Sequence, residues 1–242
     1  MRKSKSILVF ALIIALFTAG CASDKGTAEK EEAAVNIDAV FELSEFPKCD
    51  GAATALPLME VLCAELTGAE AADIKNTITY FGGNKALTNL FASDADMIIV
   101  DKKDGEIQAK ASEAGVEVEI IPVARECYVF YTIGDPEADG ALTDISKEEA
   151  DAVVMGQSDK DIKYDNGYFM SGYLPENINI LSVDGVLPTE ETVASGEYPC
   201  SFYYNAVIKA DTPADSPARK LIEVLLSESG QQLAKEAGYV KL

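Results

Sequence analysis

The chain of 242 residues contains no histidine. Ser-His-Asp triads, histidine acid/base catalysis and histidine metal sites are therefore excluded. Basic residues are also scarce, with 20 Lys and Arg against 41 Asp and Glu and a net charge of −21. Such a surface repels nucleic acid and anionic lipid headgroups, so neither is an expected partner. Five cysteines are present, and the spacings between Cys49, Cys63, Cys127 and Cys200 fit no zinc pattern. These four thiols allow three pairings that spacing does not rank, and the favoured reading is that they are buried small hydrophobes. Paired carboxylates, a nucleophile elbow and a phosphate-cradling P-loop are all missing. Neither a catalytic residue nor a cofactor or metal site is expected, and the reading is of a protein that is not an enzyme.

A long apolar run is also lacking. The one uninterrupted stretch, Ile7 to Phe17, follows Arg2, Lys3 and Lys5. Its eleven residues reach only about 16 Å as a helix, roughly half a hydrocarbon core. It reads as a secretory signal rather than an anchor. The next residues, Thr18-Ala19-Gly20-Cys21, resemble the lipobox of bacterial lipoproteins, with Thr18 where Leu is commoner. That resemblance implies a signal peptide over 1–20, lipidation of Cys21, and a place on the extracytoplasmic face of the cell membrane. Residues 21–37 are small and charged, as a flexible stalk would be. Loss of the three leader charges takes the net charge to about −24.

From there strands and helices alternate. Glu45 to Cys49 predicts a strand, Asp50-Gly51 a tight turn, and Leu58, Leu62 and Leu66 a helix closed by Gly68. A helix over Asn84 to Phe91 precedes Met97 to Val100, an apolar run suited to a buried parallel strand. Ile107 to Ala114 predicts a helix. Val116 to Val123 and Cys127 to Thr132 read as two strands separated by the charged pair Arg125-Glu126. Ser146 to Met155 predicts a helix, as do Ser216-Pro217 onward and Ser229 to Ala237 before Gly238. This alternation argues for an α/β fold.

Several blocks, in order, carry a family resemblance: Asp50 to Leu58, Ala95 to Val100, Ile120 to Ala124 leading into Cys127, Leu181 to Thr189, Gly196 to Pro199, and Ser216 to Leu242. Together they resemble the phosphate-binding lipoproteins of Gram-positive ABC importers. The resemblance implies a two-lobed periplasmic-binding-protein type II fold with a reduced second lobe. Lobe 1 would comprise 38–132 plus 201–242, and lobe 2 would comprise 133–200. It also implies ABC permease subunits as partners, and phosphate or a similar small oxyanion bound between the lobes.

Such an anion is held by helix N-termini, hydroxyls, a cation and a carboxylate that accepts the ligand's proton. Gly51, Ala52, Ala53 and Thr54 stand where the family places its first helix start, although Ala52, Ala53 and Ala55 replace hydroxyl residues. A capping turn without ligand is the plain alternative. Lys85 at the second helix start is a candidate cation, or else a surface lysine. Asp101 is a candidate proton acceptor, or part of a solvated cluster with Lys102, Lys103 and Asp104. In the second lobe the family's arginine-bearing loop is missing. Only Lys147, Lys160 and Lys163 are basic between 133 and 200, and Ser171 is the candidate hydroxyl. The competing reading is a divergent surface lipoprotein of the same fold that has lost phosphate binding and acts as an accessory, sensing or interaction protein.

Overall fold

A computed structural model describes residues 41–134, 140–166 and 177–242. The signal segment, the stalk with Cys21, and Ser171 lie outside the described residues. The described residues belong to one compact unit.

Strand β1 (Cys49–Gly51) leads through a short 3-10 turn into α1 (Leu56–Thr67). Leu58, Met59, Leu62, Cys63 and Leu66 recur at helical spacing and are all buried. The helix ends as Gly68 takes a left-handed φ of 67°, which costs glycine little. The strand expected from Glu45 begins only at Cys49, because Leu43–Glu45 forms a 3-10 turn. Helix α2 (Ala71–Thr77), not foreseen, and α3 (Gly83–Phe91) precede β2 (Met97–Val100). Helix α4 (Asp104–Ala114) then runs to Gly115.

β3 (Val118–Ile133) corrects the expectation of two strands. Arg125 and Glu126 stay in the ladder, opposite Tyr203 and Phe202 of β8 (Ser201–Lys209). A charged pair does not break a strand when its backbone groups still find partners, as those of Arg125 do at Val240. The one irregularity of register falls between Pro122 and Ala124. Between β3 and β8 come β4 (Asp144–Ile145), α5 (Lys147–Val154), β5 (Lys163–Asn166), β6 (Ile178–Ile180), β7 (Ser182–Val183) and α6 (Glu190–Ser195). Helices α7 (Pro217–Leu226) and α8 (Glu228–Glu236) complete the described chain.

The main sheet has the order β1-β2-β8-β3-β5, with β6 also on β3, while β4 and β7 form a small parallel pair. β1 and β2 are parallel, and β8 is antiparallel to both β2 and β3. Alternation along β2 divides the core of lobe 1. Met97 and Ile99 join Tyr204, Ala206 and Ile208 under α1, α7 and α8. Ile98 and Val100 join Val207 under α3 and α4. A separate core of Ile145, Val153, Leu181, Val183, Val193 and Tyr198, packed against Phe130 of β3, fills lobe 2. This is the α/β, two-lobed architecture with a small second lobe. The four described cysteines are buried and unbonded. Burial pushes the thiol pKa upward at each, to about 11 at Cys200.

Candidate functional site

The carboxyl ends of β1 and β2 lie side by side, with Gly51 paired to Ile99. Ligands bind at such ends in α/β sheets. Three segments leave there: residues 52–55 into α1, residues 101–103 into α4, and residues 79–82, which cross to the start of α3.

Asp50 organises this edge. Its carboxylate is buried and accepts hydrogen bonds from the Gly51 N–H (2.7 Å), the Phe81 N–H (3.0 Å) and Asn89 Nδ2 (2.6 Å). The Gly82 N–H donates to the Gly51 carbonyl at 3.1 Å. The start of α3 is therefore fastened to the end of β1.

The sequence candidates now separate. A Cβ on Gly51 would stand 2.4 Å from the Ile99 carbonyl oxygen. The close approach that demands glycine is thus to β2. The Ala52 N–H donates to that same Ile99 carbonyl at 3.0 Å, and Ala52 is buried. Ala53 is exposed, and the Ala53 and Thr54 N–H groups meet no acceptor among the described residues, as the first donors of a helical stack do. Thr54 turns its hydroxyl inward, where it is buried. It faces Tyr204, and Tyr239 Oη donates to the Thr54 carbonyl at 2.6 Å.

Lys85 is exposed and borders a groove of about 450 Å³ along the flank of β1, beside Lys48 and Asp94. Besides Lys85 in its first turn, the start of α3 has a second cation beside it, Lys102. Its Cε lies 3.1 Å from where a Gly83 Cβ would be, and its ammonium is 3.6 Å from Glu106. Its backbone carbonyl accepts from Asn205 Nδ2 at 3.1 Å. A cation beside a helix N-terminus is repelled by the dipole unless an anion sits between them. Sequence order gave Lys102 no distinction from Lys103; only the position of Gly83 singles it out.

Asp101 is half-buried. Burial first, and then Asp101, raise the Tyr128 phenol pKa. Tyr204 is raised chiefly by burial, with Asp101 and Glu126 adding and Thr54 opposing. The Thr54 and Tyr204 hydroxyls are near enough to interact, yet neither completes a hydrogen bond. Glu126 is fully buried on the same side of β3, with Oε1 accepting from the Cys127 N–H at 3.0 Å. Tyr128, Phe202 and Tyr204 stack in sequence along this face, 5.1 and 5.7 Å between ring centroids. Thr54, Asp101, Glu126, Tyr128 and Tyr204 thus come together, whereas Lys85 does not join them. No group of three or more Cys, Asp and Glu placed to hold a metal occurs among the described residues.

Comparison with known proteins follows this geometry. The phosphate-binding protein PstS of Bacillus subtilis is 28% identical over 118 residues, which is 48% of this chain and 37% of that protein. PstS 2 of Streptococcus agalactiae is 30% identical over 76 residues, 31% of this chain and 26% of its own length. The chain therefore matches little more than a third of the curated relatives' length at most. Among solved structures, an ABC-type phosphate transport receptor from Vibrio cholerae superposes with a TM-score of 0.58 at 13% identity, over 80% of this chain and 98% of that one. PstS from Borrelia burgdorferi gives 0.51 at 15% identity, over 81% and 98%. The chain has the fold of an ABC-transporter substrate-binding protein. These relatives are a phosphate-binding protein and a phosphate transport receptor, and the resemblance read from the sequence holds. No protein-family profile matches the chain. No helix among the described residues is long and apolar enough to cross a membrane.

Proposed function

We propose that this protein is the solute-binding component of an ABC importer, held on the extracytoplasmic face through a lipid on Cys21, and that it takes phosphate or a similar small oxyanion between lobe 1 (38–132 plus 201–242) and lobe 2 (133–200). No catalytic step belongs to this role. The observation that carries the reading is the tethering of the α3 start to the end of β1 through Gly82 and Gly51, with Lys102 lying over Gly83. Free N–H groups at Ala53 and Thr54, those of the first turn of α3, and the Lys102 ammonium then serve one anion. Asp101 is the acceptor for a proton that the anion retains. The likeness to phosphate-binding relatives supports this ligand class.

Two observations favour the second reading, an accessory or sensing lipoprotein that has lost phosphate. The Thr54 hydroxyl is committed inward, and lobe 2 has no arginine between 133 and 200. A charge-assisted hydrogen bond of the kind an arginine supplies is worth about 1.5–3 kcal/mol.

Calorimetric titration of the purified chain with phosphate, sulfate and molybdate separates the two. Heat with any of them at or below millimolar concentration supports the carrier, and its absence establishes the second reading. If phosphate binds, Lys102→Met and Asp101→Asn weaken it while Lys85→Met leaves it unchanged. Incorporation of a labelled fatty acid, lost in Cys21→Ala, tests the anchor.

A further inference from the structure

Arg125 is the one arginine between Arg2 and Arg219, and it stands opposite Tyr203, on the other face of the sheet from Tyr204. On β3 it alternates with Glu126, whose side chain lies on the Tyr204 side. Its Nη1 donates to the Val193 carbonyl at 3.1 Å, at the C-terminal end of α6. Its Nη2 donates to the Tyr203 hydroxyl of β8, and Cζ sits 4.3 Å from the Tyr203 ring centroid. The backbone exchanges hydrogen bonds with Val240 in both directions, at 2.8 and 3.0 Å. Arg125 thus joins a lobe 2 helix to two lobe 1 segments beside the crossover strands.

The neighbours are shaped around this side chain. α6 ends at Gly196 with φ 76°, and a Cβ there would lie 2.9 Å from Arg125 Nη1. A guanidinium at a helix C-terminus is favoured by the dipole, and the Val193 carbonyl it meets is shared with the capping Gly196 N–H, which donates to it at 3.1 Å. The other end of α6 is tied as well, since Glu190 pairs with Lys235 of α8 at 3.4 Å. That pair is mostly exposed and weak. The guanidinium, packed on an aromatic ring with two directed donors, is the stronger tie.

We propose that Arg125 is a positioning residue for ligand binding: it latches helix α6 of lobe 2 to Tyr203 of lobe 1 on the side away from Asp101, and so sets the angle between the lobes. The proposal rests on the two-lobe division but not on the identity of any ligand. Rotation of lobe 2 that carried α6 off β8 would have to break the Val193 contact or the Tyr203 contact.

The test is hydrogen exchange on the full chain without ligand, read peptide by peptide, together with small-angle scattering. In Arg125→Gln the amides of 193–196 are expected to exchange at least roughly tenfold faster, α1 to keep its protection, and the radius of gyration to change. Tyr203→Phe, a milder change that keeps the ring, is expected to shift the same peptides less, and Lys235→Gln least. Uniform loss of protection in both Arg125→Gln and Tyr203→Phe would mean a structural contact only and would overturn the proposal. So would unchanged exchange at 193–196, or unchanged scattering in every variant.

Discussion

Lobe 1 and lobe 2 are built from different materials. Lobe 1 sandwiches β1, β2 and β8 between apolar helix faces, and Leu58, Leu62, Leu66, Ile98, Ile99 and Val207 are wholly buried. Lobe 2 has short strands and a smaller core, and its segments are joined largely by polar side chains. Asp144 accepts from Ser182 Oγ and the Gly185 N–H, Asn179 Nδ2 donates to the Leu142 carbonyl, and Glu149 pairs with Lys160 and accepts from Ser158. A fully buried large apolar side chain contributes about 1.5–3 kcal/mol, and an ordinary hydrogen bond about 0.5–1.5. The difference teaches that lobe 1 gains more of its stability from burial, which is indifferent to pH, whereas lobe 2 adds to a smaller core the contacts of groups that titrate.

That contrast breaks first in the lobe 1 core. Leu62→Ala is expected to cost about 2–5 kcal/mol in denaturant unfolding, because α1 is pinned on both sides and collapses poorly onto a void. Asn89→Leu comes next. It leaves the Asp50 carboxylate buried with one oxygen unpaired, and is expected to cost about 1–3 kcal/mol and to loosen the start of α3. Hydrogen exchange at 83–86 would show the loosening.

Acid sharpens the comparison. Hydrogen bonds from Ser182 and Gly185 hold Asp144 below the usual carboxylate range, and those from Lys160 and Ser158 do the same for Glu149. A depressed folded pKa gives stability that is complete above the unfolded value near 4 and is lost as pH falls through the folded value. Lobe 1 has one such carboxylate, Glu119 beside Arg219. Protection of α5 and of the β4–β7 pair is therefore expected to fall before that of α1 as pH drops below about 4, and Asp144→Asn to remove part of the difference. The smallest effect is Ser146→Ala, which deletes the cap on the Glu149 N–H and costs about 1 kcal/mol in thermal unfolding.

Lobe 1 was also the more legible in sequence, for the same reason. Burial leaves a periodic trace, so α1, α3, β2 and the capped α7 emerged from the spacing of Leu, Ile and Val and from Gly68 and Ser216. β3 misled because a ladder tolerates Arg125 and Glu126 when their side chains find buried or clamped places that lie far off in sequence. The candidate site followed the same division. Asp101 after a strand and the segment 51–54 at a helix start could be picked out as candidates from their places in the chain, but which of their atoms turn inward could not. Thr54 is turned inward by Tyr204 and Tyr239, which enter some 150 and 185 residues later. Lys102 gains its position from the closeness of Gly83, a packing fact with no local signature.

β3 has a mechanical consequence for the whole molecule. One 16-residue strand, ending at the lobe boundary, is bonded to β8 of the first lobe and to β5 and β6 of the second. Motion of lobe 2 must be absorbed as torsion along a continuous ribbon, in small increments shared by many peptide units. The one register shift, at Pro122–Ala124, falls well inside lobe 1, so the ladder runs regularly from there to the crossover. Such a molecule flexes like a twisted leaf spring and has a restoring torque, in contrast to a door that stands open or shut with equal ease.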